Sequence, residues 1–69
     1  MITFYSTNCP KCKVLSTKLN QLGVQYNINT DIETMLSKGI KGAPALELDN
    51  GQILDFSQAL AWVRGYNGN

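Results

Sequence analysis

Residues 2–23 read ITFYSTNCPKCKVLSTKLNQLG, and the way this stretch divides decides the fold. Ile2 to Tyr5 are β-branched and aromatic, the composition of a buried strand. From Cys12 onward, apolar side chains recur at Leu15, Leu19 and Leu22, at spacings of three, four and three that put them on one helical face. Pro10 suits the first helical turn, where its missing N–H would have no partner anyway, and Gly23 suits the stop. Strand, short turn and helix therefore meet at STNCP. Both cysteines of the 69-residue chain, Cys9 and Cys12, lie at that junction.

Downstream, Val24, Tyr26 and Ile28 alternate with polar residues and predict a second strand. A helix joins it to the first, so the two are expected to run parallel. Thr30 with Glu33 reads as a capping box. It opens a short helix carrying Ile32, Met35 and Leu36, ended by Gly39. APALEL (43–48) reads as a strand, Asp49 to Gly51 as a hairpin turn and QIL (52–54) as the antiparallel partner. Asp55 or Ser57 caps a last helix with Phe56, Leu60 and Val63 on one face and Gly65 at its end. Met35 and Trp62 fit helical patterns and are read as packing residues. The order βαβαββα predicts an α/β fold: a mixed four-stranded sheet flanked by helices. One domain is expected over residues 1–65, followed by a frayed tail, 66–69.

The composition narrows the partners. Net charge is +1, and the lysines form two loose groups, Lys11, Lys13 and Lys18, then Lys38 and Lys41, rather than a basic stripe. No nucleic-acid partner is expected. No apolar run has the length of a membrane span or a leader, so a cytoplasmic monomer without a membrane partner is expected. In that compartment structural disulfides are rare.

Cys9 and Cys12 admit three readings. As a staple they would close a loop of about four residues, where the chain-entropy gain is only roughly 2 kcal/mol. As a zinc site they supply two ligands of the usual four, and the chain has no histidine. A soft ion such as Cu(I) accepts two thiolates, so a Cu or Zn carrier stays open as an alternative, as does a non-catalytic interaction module. As a redox pair, Cys9 at a helix start would face unpaired N–H groups and the positive end of the helix dipole. Both favour thiolate over thiol, and Lys11 and Lys13 add a weak positive potential. Cys12, one turn further on the apolar face, is expected to be sheltered and thiol-like. That asymmetry suits exchange, with Cys9 attacking a disulfide and Cys12 resolving the mixed disulfide.

FYSTNCPKC (4–12), together with GIKGAPALELDNGQI (39–53), resembles the thioredoxin-fold family. It is closest to glutaredoxins and to the small glutaredoxin-like hydrogen donors of ribonucleotide reductase. The resemblance spans nearly all of residues 1–65. It implies a thioredoxin-like fold and a dithiol–disulfide oxidoreductase with catalytic Cys9 and Cys12. It further implies a cis Ala43–Pro44 bond, with the backbone of Ala43 docking an extended substrate segment. Implied partners are a disulfide-containing protein, a ribonucleotide reductase among them, and a reductant, either a flavoprotein or glutathione. No cofactor beyond the redox-active Cys9–Cys12 disulfide, and no metal, is implied. The chain also departs from the family. Lys11 stands where glutaredoxins commonly carry the tyrosine of C-P-Y-C, and is a candidate substrate contact. Ser6, Thr7 and Asn8 supply no cation before the first cysteine. Asp55 alone stands where glutaredoxins carry Gly-Gly and acids. It has two readings, a contact for the amine of glutathione or a helix N-cap.

Overall fold

The computed structural model describes residues 1–66. Its elements follow the order β1 (Ile2–Tyr5), α1 (Pro10–Gln21), β2 (Tyr26–Asn29), α2 (Ile32–Ser37), β3 (Ala45–Glu47), β4 (Ile53–Leu54) and α3 (Phe56–Gly65). The sheet order is β2-β1-β3-β4, with β1 parallel to β2 and antiparallel to β3, and β3 antiparallel to β4.

Successive residues of a strand point to opposite faces. Phe4 and Tyr5 are each 2% exposed, so β1 is covered on both sides. Phe4 and Leu46 belong to one apolar cluster with Cys12, Leu15 and Leu19 of α1 and Ala59 and Val63 of α3. Tyr5 and Ala45 belong to a second cluster with Met35 of α2 and Ile40. The helices therefore sit on both faces, α1 and α3 on one and α2 on the other. The predicted face of α1 is realised by Cys12, Leu15 and Leu19, while Leu22 forms the C-cap. Gly23 and Gly39 follow α1 and α2 at φ 72° and 80°, backbone angles that side chains with a Cβ rarely adopt.

Several expectations shift. The N-cap of α2 is Asp31, not Thr30: its carboxylate accepts from the N–H of Glu33 and from the hydroxyl of Thr34, at 3.1 and 2.7 Å. A carboxylate caps at least as well as a threonine, which moves the helix start one residue on. Met35 is buried, but Ile32 and Leu36 of the same helix are 58% and 65% exposed. A six-residue helix on a narrow sheet buries only the side that faces it. Ile28, one of the alternating apolar residues that predict β2, is 60% exposed, because β2 is an edge strand and its end runs past the helical cover. Tyr66, expected in the tail, is the C-cap of α3, and its ring lies 5.2 Å from that of Trp62. The rest of the expected tail, 67–69, lies outside the described residues. Among those described, no helix is long and apolar enough to cross a membrane.

Candidate functional site: the Cys9–Cys12 pair and the Ala43–Pro44 loop

The turn that delivers Cys9 is short and tightly bonded. Ser6 Oγ accepts from the N–H of Asn8 at 3.1 Å, and Asn8 takes a left-handed φ of 65°. Asparagine tolerates that region better than most residues. The reversal places Cys9 as the N-cap of α1, in extended conformation, with Pro10 next in the helix. The Cys9 Sγ accepts from the N–H of Cys12 at 3.2 Å, the work an N-cap serine or aspartate oxygen does elsewhere. The Cys9 thiol can also donate to the carbonyl oxygen of Ala43, 3.9 Å away.

Ala43 lies there because of the sheet. Tyr5 pairs with Ala45 across β1 and β3. The segment entering β3 therefore runs beside the one leaving β1. The Ala43–Pro44 peptide bond is cis, and Pro44 is fully buried at the mouth of β3. The loop is braced further along. The hydroxyl of Tyr5 donates to Glu47 Oε1 at 2.6 Å, and Lys38 Nζ, at the end of α2, lies 3.1 Å from the same oxygen. Burial and the Glu47 carboxylate raise the Tyr5 phenol. The bond from Tyr5 and the ammonium of Lys38 lower the Glu47 carboxyl, and the Glu47 carboxylate raises Lys38 in turn.

The two sulfurs are unbridged, and their exposure differs as expected: Cys9 is half-buried and Cys12 is 1% exposed. Ionisation departs from expectation at Cys12. Burial pushes its thiol up. The side chain of Cys9, the backbone of Thr7 and Cys9 and the hydroxyl of Ser6 more than offset that push, taking it from 9.0 to about 7. Shelter from water therefore does not keep Cys12 neutral, because the same turn that buries it surrounds it with hydrogen-bonding groups. Ser6 and Thr7, notable in the sequence only for carrying no cation, act here as hydrogen-bonding groups toward Cys12. Their signal was a run of short polar side chains immediately before the first cysteine.

The remaining candidates separate from the sulfurs. Lys11 extends over the ring of Phe56, its Nζ 5.5 Å from the centroid, so it lies along the α1–α3 seam. Asp55 is the N-cap of α3, in a reciprocal box with Gln58: its Oδ1 accepts from the Gln58 N–H at 2.8 Å and its own N–H donates to Gln58 Oε1 at 3.0 Å. Of its two readings, the cap is the one these bonds realise. Among the described residues, no group of three or more His, Cys, Asp or Glu side chains is placed to hold a metal ion.

A cleft of about 540 Å³ opens beside Cys12, between the start of α1 and the end of β2. Phe4, Cys12, Lys13, Ile28 and Ile32 line it. Comparison with known proteins finds no family model, no curated protein and no solved structure that matches the chain.

Proposed function

We propose that this chain is a thioredoxin-fold dithiol–disulfide oxidoreductase, a small glutaredoxin-like electron carrier that reduces protein disulfides. One observation carries the reading: Cys9 Sγ at the N-cap of α1, 3.2 Å from the Cys12 N–H and facing the Ala43 carbonyl of a cis Ala43–Pro44 loop. The sheet order, with α2 on one face and α1 and α3 on the other, supports the thioredoxin-like assignment.

Cys9, the more exposed sulfur, attacks as thiolate on one sulfur of the substrate disulfide. The substrate S–S bond breaks, its other sulfur leaves as a thiolate and takes a proton, and a mixed disulfide joins substrate to Cys9. Cys12, as thiolate, then attacks Cys9 Sγ. The mixed disulfide breaks, and the second substrate sulfur leaves and is protonated. Two electrons and two protons have passed to the substrate, and Cys9 and Cys12 have become a disulfide. The lowered Cys12 thiol assists the second step, since the resolving sulfur is partly anionic near neutrality. The Ala43 backbone offers main-chain hydrogen bonding to an extended substrate segment. A flavoprotein reductase or glutathione restores the dithiol. A ribonucleotide reductase is the recipient to which the sequence resemblance points.

Insulin reduction tests the proposal, with dithiothreitol as the recharging thiol. The wild type is expected to accelerate precipitation of the insulin B chain, and Cys9→Ser to give only the dithiothreitol background. Acceleration that survives Cys9→Ser would defeat the reading.

A further inference from the structure

We propose that the cleft between α1 and β2 is a specificity pocket for the substrate protein, taking a large apolar side chain next to the substrate's disulfide and a neighbouring carboxylate on Lys13. The inference rests on the redox reading of Cys9 and Cys12 and names the substrate class of that site.

The cleft adjoins the chemistry, since Cys12 itself lines it. Its apolar surface is Phe4, Ile28 and Ile32. Ile32 and Thr7 also line a smaller hollow of about 240 Å³, shared with Leu36 and Ala43. An apolar strip therefore runs from the edge strand, past the dithiol, to the Ala43 loop. Ile28, Ile32 and Leu36 are 60%, 58% and 65% exposed, and they are three of the five large hydrophobic side chains exposed among the described residues. Surface hydrophobics scattered singly need no explanation, but a contiguous row beside a reactive pair marks a contact surface. A small polar thiol bearing two carboxylates and an amine would leave most of this row in water. An extended polypeptide would cover it.

Charge narrows the occupant further. Lys13 is the one charged side chain lining the cleft and Lys41 the one lining the hollow, and no acidic residue lines either. Neither lysine has an ion-pair partner among the described residues. Hydroxyls of Ser16 and Thr30 complete the polar part of the cleft. The surface suits an apolar side chain with an acid beside it, and disfavours a basic segment.

Three hexapeptides test this, each with one cysteine in mixed disulfide with 2-mercaptoethanol. The first has leucine and aspartate beside the cysteine, the second serine and aspartate, the third leucine and lysine. Single-turnover rates are divided by the same protein's rate on bis(2-hydroxyethyl) disulfide. The wild type is expected to prefer the first peptide over the second by about tenfold and over the third by about threefold. In Ile28→Thr/Ile32→Ser, at two exposed positions, the leucine preference falls below about twofold. In Lys13→Glu the preference between aspartate and lysine reverses. Reduction of all three peptides at equal relative rates by the wild type overturns the pocket and leaves the redox reading standing. Failure to reduce even bis(2-hydroxyethyl) disulfide overturns both. A wild-type dimer in sedimentation that Ile28→Thr/Ile32→Ser dissolves gives the strip to a second copy of the chain and also overturns the proposal.

Discussion

The reduced protein should gain stability as pH rises from 7 to 9, and Cys12 should be the cause. Its thiol is lowered from 9.0 to about 7 in the folded chain. A group whose folded pKa is depressed stabilises the fold fully above its unfolded value and loses that contribution as pH falls through its folded value. The window therefore runs from about pH 9 down to about pH 7. Two pKa units at 1.36 kcal/mol each come to about 3 kcal/mol. A chain of 69 residues has a total stability of about 3–10 kcal/mol, so the change is a large part of the whole. About 2 kcal/mol of this falls between pH 7 and pH 9, where each end of the window is half-titrated, so with a urea slope of about 1 kcal/mol per molar the midpoint should move up by about 2 M. The assay is urea unfolding under a phosphine reductant at half-unit pH steps, with wild type and Cys12→Ser side by side. The oxidised protein, which has no thiol to ionise, provides the control. A wild-type midpoint that is flat across the window would refute the account of the pair's electrostatics. So would an equal rise in Cys12→Ser.

Other outcomes follow from particular contacts. Glu47→Leu leaves the buried Tyr5 hydroxyl without its acceptor and should cost about 1–3 kcal/mol in chemical denaturation, more than Glu47→Gln, which keeps an acceptor oxygen. Because the Glu47 carboxyl is lowered, its contribution should fade as pH falls through the acid range and be absent from the pH profile of the leucine variant. Asp55→Ala removes the cap of α3 and should cost about 1 kcal/mol, read as a lower thermal midpoint. Leu19→Ala, at a position 0% exposed, should cost about 2–5 kcal/mol and shows whether the α1 face is packed as described.

Much of the architecture was legible because its cues are local. β1 matches its β-branched run residue for residue, and α1 starts at the proline and stops before the glycine that mark its ends. The strand-and-hairpin pattern around Asp49 to Gly51 gave β3 and β4, with Gly51 at φ 88° in the turn. What a linear pattern cannot give is which apolar residues remain uncovered. Ile28 and Ile32 fit the strand and helix periods, yet burial depends on whether another element covers them, and they are 60% and 58% exposed. The site divided in the same way. The positions of Cys9 and Cys12 at the head of α1 followed from motif and spacing, and the Ala43–Pro44 loop beside them followed from the family resemblance. Asp55 became a cap and Lys11 a lid on Phe56 through contacts between distant elements. The ionisation of Cys12 depends on the Ser6 and Thr7 groups folded against its sulfur, which oppose the effect of burial and which the helical pattern alone does not reveal.

The central claim is that Cys9 attacks and Cys12 releases, and trapping tests it most directly. Reduced Cys12→Ser is mixed with an excess of a protein disulfide, quenched with acid and weighed intact, then digested to locate the adduct. The account predicts a stable one-to-one mixed disulfide on Cys9, absent from Cys9→Ser and resolved within the wild type. No adduct on Cys9, or an adduct that wild type and variant retain alike, would contradict it.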